Sequence, residues 1–382
     1  MTPGHSTITA PPDRPAAFAG ASRASDYVEA EQTAVVRTAP SGPTSPEPPT
    51  AATDISAETH VEPVVEAPAP ETFDDLGTVA TAPARRQAQR GIRGLLGRVG
   101  IRFEPGAAES AQLEADEVNR RHEEVIRQAT WTRAVSILVA NPKGGVGKTP
   151  TSLLLGGTLA AIRGGSVCIM EVSDDPGALT FRSEGSPIRG LGELVTDAAT
   201  IRSAGQLAGY TAPQTSFAVT IGSVGPRHRL DGEAVASVAN VIDEYFSIRV
   251  MDSGNQPSST AFQAAVETAD VLVIPMFDAG DAALEASSLL IGLKEQGGRG
   301  ADLARNALVL RLHDGRPENP QVVERVDRIL ASRGIAHIHA IPFDAHIAER
   351  GQVTLGKLDE TTRRAFTAAA ADVVRTLQNT AR

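Results

Sequence analysis

The stretch Asn141-Pro142-Lys143-Gly144-Gly145-Val146-Gly147-Lys148-Thr149 lies between an unbroken apolar run and a run of helical pattern, and no other feature constrains the fold as tightly. The run before it, Ala134 to Ala140, predicts a buried strand, and Leu153, Leu154 and Leu155 after it predict a buried helix. A strand, a glycine loop and a helix in that order aim backbone N–H groups and a helix N-terminus at one point, where an anion is stabilised. Gly144, Gly145 and Gly147, with Val146 between them, let the backbone approach phosphate oxygens that a Cβ would hold away. Lys148 then supplies a point charge for β- and γ-phosphates, and the Thr149 hydroxyl a ligand for Mg²⁺. The expected ligand is therefore a magnesium-bound polyphosphate, although Pro142 stands where the general phosphate-loop pattern has its first glycine.

Lys143 makes the loop K-G-G-x-G-K-T, which resembles the deviant Walker A motif of the ParA/MinD family. In that family the extra lysine reaches the phosphates bound by a partner subunit, and the resemblance implies this role for Lys143. The chain has four lysines against 32 arginines, yet two of the four lie in this loop, which suits a compact ammonium rather than a planar fork.

Composition divides the chain. Residues 1–84 hold 13 of the 25 prolines, 12 acidic residues and three arginines, with no sustained apolar period, so they read as a disordered acidic tail. The tail lacks the charged start and apolar run of a secretory signal. Residues 85–130 read as a basic linker and a leading helix. Residues 85–102 carry six arginines and no acid, with Ile92, Leu95, Leu96 and Val99 at helical spacing among recurrent glycines. This suits a surface anchor, a loose DNA-backbone contact, or a linker docked on its own acidic domain. Residues 131–382 form the ATPase domain. A lone cysteine, Cys168, excludes an internal disulfide and suits a reducing cytoplasm, and no apolar run approaches a membrane span.

From Trp131 onward apolar runs alternate with helical patterns, predicting an α/β fold with a doubly wound, mostly parallel sheet. Expected strands are 134–140, 167–172, 217–221, 248–251, 271–275, 307–312 and 335–341. Expected helices include 109–130, 232–244, 258–268, 283–295, 321–333 and 360–377.

Three further stretches resemble the family. Phe246 to Asn255 ends a hydrophobic run at Asp252, placed as the Walker B acid that assists Mg²⁺, with Arg249 interrupting the usual aliphatic residues. Ala269-Asp270 and Pro275 fit the "AD-x-x-x-x-P" strand that follows. Ala340-Ile341-Pro342-Phe343-Asp344 resembles the "IP-[YF]-D" that flanks the base, making Pro342 and Phe343 adenine neighbours, while Arg311 stands near the place of a frequent asparagine. Where the family has D-x-D, this chain has Glu171 and Ser173 when aligned without a gap. A serine is no carboxylate base, so Asp174 or Asp175 is the candidate to orient water, and turnover is expected to be slow. Gly177 to Glu184 resembles the "G-x-L-x-[WF]-R-x-E" stretch of an actinobacterial branch.

The resemblance implies an ATPase that dimerises face to face with ATP, with Lys143, Lys148, Asp252 and Asp174 as candidate catalytic residues. It implies partition of DNA cargo, with nonspecific DNA and a small centromere-binding protein as partners. The alternatives are a secretion- or membrane-associated regulatory ATPase acting through residues 1–102, and a non-hydrolysing nucleotide-dependent scaffold. Cytoplasmic location, on the nucleoid or a membrane surface, is expected. Arg350, Lys357, Arg363 and Arg364 form a modest basic cluster expected to be a solvated helix face, and His313 with Asp314 a solvated turn. His337 and His339 alternate on a strand without a third metal ligand.

Overall fold

The computed structural model describes residues 106–381. Residues 1–105, which carry the expected tail and most of the basic linker, lie outside them. Eight strands form one sheet in the order β3-β4-β2-β5-β1-β6-β7-β8. They are β1 Val135–Val139, β2 Val167–Val172, β3 Ala212–Pro213, β4 Val219–Ile221, β5 Ile248–Ser253, β6 Val271–Phe277, β7 Leu308–Leu312 and β8 His337–Ile341. All neighbours are parallel except β3 with β4. Every residue of β1, β2 and β5 is buried, as expected of parallel strands covered on both faces.

Two apolar cores cover the two faces. One face packs α1 (Ala107–Gln128), α2 (Lys148–Arg163) and α12 (Glu360–Thr380), with Ile126, Leu155, Leu159, Phe366 and Leu377 buried. The other packs α6 (Gly232–Tyr245), α7 (Thr260–Thr268), α8 (Gly280–Gln296), α9 (Gly298–Arg305) and α10 (Pro320–Ser332), through Ile242, Phe262, Leu290, Leu303 and Leu330. Local chemistry sets the helix ends. Asp231, Ser259 and Asn319 cap α6, α7 and α10 by accepting from backbone N–H groups two or three residues on, and Pro320 opens α10. Gly164, at φ 79°, closes α2 by donating its N–H to the Ala160 carbonyl. Short helices α3 (Leu179–Arg182), α4 (Leu191–Asp197), α5 (Ala204–Ala208) and α11 (Ala345–Ala348) complete the set used below.

Several expectations shift. The strand expected over 217–221 starts at Val219, because Phe217 is exposed at φ 69° in a turn whose Gln214 N–H donates to the Ala218 carbonyl. That turn joins the antiparallel edge strand β3, which had no sequence signal. Arg249 does not disrupt β5. Its guanidinium, buried against α6, pairs with Asp243 and donates to the Ala239 carbonyl at 3.2 Å. Asp270 pins the start of β6: burial alone would raise its pKa, but bonds from Arg133 and the Ser136 N–H, with the charges of Arg133 and Arg299, hold it below the carboxylate range.

The register fixes the site. Val139, the last residue of β1, pairs with Asp252, and Glu171 of β2 also pairs with Asp252, so the loop after β1 and both acids share one carboxyl edge. In doubly wound sheets this edge is where ligands bind.

Candidate nucleotide site

The loop between β1 and α2 curls through Gly145 at φ 78° and Gly147 at φ 89°. At Gly147 the left-handed backbone favours glycine, and a Cβ would also lie 2.5 Å from Leu312 Cδ1, so that side chain would have to shift. The Lys148 ammonium folds back into this loop. It donates to the Asn141 carbonyl at 2.9 Å, the Lys143 carbonyl at 3.1 Å and the Asn255 Oδ1 at 2.5 Å, and among the described residues it pairs with no carboxylate. Burial pushes its pKa down to about 8, against the pull of Asp252.

Asp252 closes the other side of the helix start. The Thr149 hydroxyl donates to its Oδ2 at 2.7 Å and the Ser152 hydroxyl to its Oδ1 at 3.1 Å. Burial raises the Asp252 pKa to about 6, although both hydroxyls and Lys148 oppose the shift. Thr149 and Asp252 thus present hard oxygen donors side by side, the kind Mg²⁺ takes. The buried cation held only by neutral oxygens, beside that oxygen pair, fits a magnesium-bound polyphosphate.

These groups open into a cavity of about 780 Å³, within the size range of ligand pockets. Its walls include Gly145, Gly147, Lys148 and Thr149, with Leu312 against the loop at Gly147, and also Ser173, Asp174, Pro342 and Phe343. Phe343 packs its ring over the turn at Gly315, where a Cβ would lie 2.9 Å from the ring.

A model of the CobQ/CobB/MinD/ParA nucleotide-binding domain matches residues 137–355, more than half of the chain. The chain belongs to this family. It is similar to a ParA family ATPase from Chlorobium tepidum (15% identity, 65% of this chain and 97% of that one, TM-score 0.48) and to the cell division ATPase MinD of Pyrococcus furiosus (17%, 63% and 99%, 0.47). It is also similar to cobyrinic acid a,c-diamide synthase from Mycobacterium smegmatis with bound ADP and magnesium (18%, 65% and 97%, 0.46). No curated protein matches.

The positions aligned with the D-x-D pair, Glu171 and Ser173, are held by other parts of the fold. Glu171 is buried on the wall of the same cavity, its carboxylate taken up by partners outside the phosphate loop. Arg227 Nη2 pairs with its Oε1 at 2.9 Å, and the Ser223 hydroxyl donates to the same oxygen at 2.5 Å. The same guanidinium donates to the Ser173, Asp174 and Asp175 carbonyls, so it sets the course of the whole loop. Ser173 turns its hydroxyl onto the Asp175 carbonyl at 2.5 Å. Asp174 does line the cavity, but Arg229 binds its Oδ2 at 2.8 Å. Arg227 and Arg229 lie more than 50 residues from the loop they hold and belong to no periodic pattern, so sequence reasoning missed them.

The remaining candidates separate. Lys143 is not buried with Lys148; its ammonium lies at the surface, 2.8 Å from Asp281 at the start of α8. That contact raises the Lys143 pKa and lowers that of Asp281. Arg311, near the place of the frequent asparagine, pairs with Asp278 and Asp327. His313 and Asp314 line the cavity rather than forming a free turn, His313 against Glu318 at 2.5 Å and Asp314 bound by Arg316. The expected basic cluster also breaks up: Arg364 pairs with Asp116 and Glu360, while Arg350 faces the cavity. His337 and His339 both face Asp372, at 3.6 Å and 2.9 Å.

Proposed function

We propose that the chain is an ATP-dependent dimerisation switch that holds Mg-ATP in the cavity at the carboxyl edge of its sheet. The observation that carries the reading is the buried Lys148 ammonium held only by carbonyl and amide oxygens beside the Thr149–Asp252 pair. Lys148 exchanges those weak neutral partners for phosphate oxygens, and the N–H groups of Gly145 to Thr149 surround the same oxygens. Thr149 and Asp252 would hold Mg²⁺, which supplies charge neutralisation between the phosphates. Pro342 and Phe343 flank the base. Lys143, exposed and held by a single surface carboxylate, is free to leave Asp281 for the phosphates of a second copy.

Hydrolysis needs a group that orients water, and Asp174 is the only carboxylate of the D-x-D loop that we assign to that work. Its bond to Arg229 keeps it from acting until that arginine moves, which supports slow turnover. A scaffold that binds ATP without cleaving it is the second reading, favoured by Ser173 and by the burial of Glu171 under Arg227. We assign the ATP dimer to positioning DNA cargo in the cytoplasm through nonspecific DNA, with a small DNA-bound protein as partner. A membrane- or secretion-linked role through residues 1–102 is the reading the test must exclude. Among the described residues no helix is long and apolar enough to cross a membrane.

The test is nucleotide binding, mass measurement and duplex-DNA binding of wild type, Lys148→Ala and Lys143→Ala with ADP and with a non-hydrolysable ATP analogue. The expected result is no tight binding by Lys148→Ala, and retained binding without the dimer for Lys143→Ala. Tight binding by Lys148→Ala would remove the basis of the reading, and duplex-DNA binding indifferent to nucleotide would remove the positioning role.

A further inference from the structure

The cavity has a second cationic wall that the phosphate loop does not use. Four basic residues line it: Lys148, Arg182, Arg316 and Arg350. Arg316 is neutralised by Asp314, and Lys148 is the loop lysine already described. Arg182, the last residue of α3, and Arg350, just beyond α11, make no ion pair among the described residues. Arg182 goes further, because its Nε and Nη2 are buried without any hydrogen-bond partner. A guanidinium N–H removed from water with no acceptor is costly, and more so than a neutral donor. Arg227, by contrast, fills its donors with Glu171, Ser223 and loop carbonyls. Burial lowers the Arg182 pKa, and the like charge of Arg350 lowers it further, with no carboxylate opposing either.

The backbone keeps the two together. The Val353 N–H donates to the Arg182 carbonyl at 2.7 Å, tying the segment after α11 to α3. Arg350 itself sits at φ 56°, a left-handed conformation that an arginine adopts at a cost of about 1 kcal/mol or more. Two like charges on one cavity, one of them with orphaned donors, are completed by an anion with several acceptor oxygens. The helix start beside them is short of donors. Pro150, which follows Thr149 and also lines the cavity, has neither an N–H nor a hydroxyl to offer a phosphate.

We infer that Arg182 and Arg350 form a phosphoryl-binding subsite of this cavity, distinct from the Lys148 cradle. Its ligand is a phosphate group, either the α-phosphate of the nucleotide held by the loop or a phosphate of a separate molecule. Only the first source rests on the nucleotide reading.

Calorimetric titration of the full chain separates the sources, using AMP, ADP, ATP and inorganic pyrophosphate on wild type, Arg182→Gln, Arg182→Lys, Arg350→Gln and Lys148→Ala. If the subsite takes the α-phosphate, Arg182→Gln weakens AMP, ADP and ATP alike by about tenfold or more, as expected for a lost charge-assisted contact, and Arg182→Lys restores part of it. If it takes a separate phosphate, Arg182→Gln leaves nucleotide affinity within about twofold but abolishes pyrophosphate binding to ATP-saturated protein. Pyrophosphate binding that survives Lys148→Ala but not Arg182→Gln, with no nucleotide bound by wild type, would keep the subsite and discard the nucleotide reading. Arg182→Gln removes an unsatisfied buried charge, so its melting temperature is expected to match or exceed that of wild type. Arg350→Gln, an exposed change, repeats the test with a smaller loss. Unchanged binding of all four probes by both glutamine variants overturns the inference.

Discussion

Nucleotide binding should move protons, and in opposite directions at the two ends of the neutral range. Burial holds the Lys148 pKa down at about 8, and the same burial raises that of Asp252 to about 6. At pH 8 about half of the Lys148 amines are neutral in the free protein, and a polyphosphate that restores the ordinary lysine value draws in about half a proton per site. At pH 6 about half of the Asp252 carboxyls carry a proton, and Mg²⁺ beside the Thr149 hydroxyl expels about half a proton. Affinity for Mg-nucleotide should therefore peak between about pH 6 and 8 and fall by up to about tenfold per pH unit on either side. The folded state follows the same signs. Lys148, depressed, burdens the fold below pH 8 and ceases to do so as pH rises toward its ordinary value. Asp252, raised, contributes stability only in acid, and that contribution is lost as pH rises through about 6. The assay is calorimetry with a pre-formed Mg-nucleotide in buffers of different ionisation enthalpy, at pH 6 and pH 8. Uptake at pH 8 and release at pH 6 are expected. An enthalpy independent of buffer at pH 8, or release there, would refute the claim that Lys148 is the group desolvated under the phosphates.

Three further perturbations test the packing around the site. Asp281→Asn frees Lys143 from a weak surface ion pair, so nucleotide affinity should hold while the ATP dimer tightens by up to about fivefold in sedimentation; a weaker dimer would contradict the competition. Arg227→Ala leaves the buried Glu171 carboxylate without its charge partner and three loop carbonyls without their donor, which should cost about 3–5 kcal/mol in denaturant unfolding. A loss under about 1 kcal/mol would show that the loop is held elsewhere. Arg249→Met combined with Asp243→Leu replaces a buried ion pair, whose arginine Nε and carboxylate Oδ1 are buried without partners, with apolar chains. Stability should be unchanged or rise by about 1–4 kcal/mol, and a clear fall in melting temperature would mean that the ion pair holds α6 on the sheet.

The parts of this molecule that were legible in the sequence are those whose physics is local or repetitive. β1, β2, β5, β6 and β7 read correctly because strands buried on both faces are apolar runs, and the long helices because their periods span several turns. The phosphate loop was legible because its glycines, both lysines and the threonine fall within nine consecutive residues, although partners such as Asn255, Asp252 and Leu312 lie far along the chain. By contrast α3, α4 and α5 are too short to show a period, and β3 holds two residues whose pairing depends on a turn with Phe217 in a left-handed conformation.

The deeper gap lies in compensation. Arg249, Glu171 and Ser173 were each visible as departures from a motif, and each looked like a loss: a charge in a strand, a carboxylate moved one carbon out, a missing base. In the fold two of them are answered by residues far away or on another layer, Arg249 by Asp243 and Glu171 by Arg227, and Arg227 also binds the carbonyl of Ser173. A pattern shows where a rule is broken; only packing shows what answers it. That asymmetry also isolates Arg182. It broke no rule in the sequence, where it fits the family stretch from Gly177 to Glu184, and among the arginines of the cavity wall it is the one whose buried donors nothing in the described residues answers. A chain that answers Glu171 so fully leaves the buried donors of Arg182 unanswered on the wall of its main cavity, and the bound phosphate inferred above is the acceptor that would complete them.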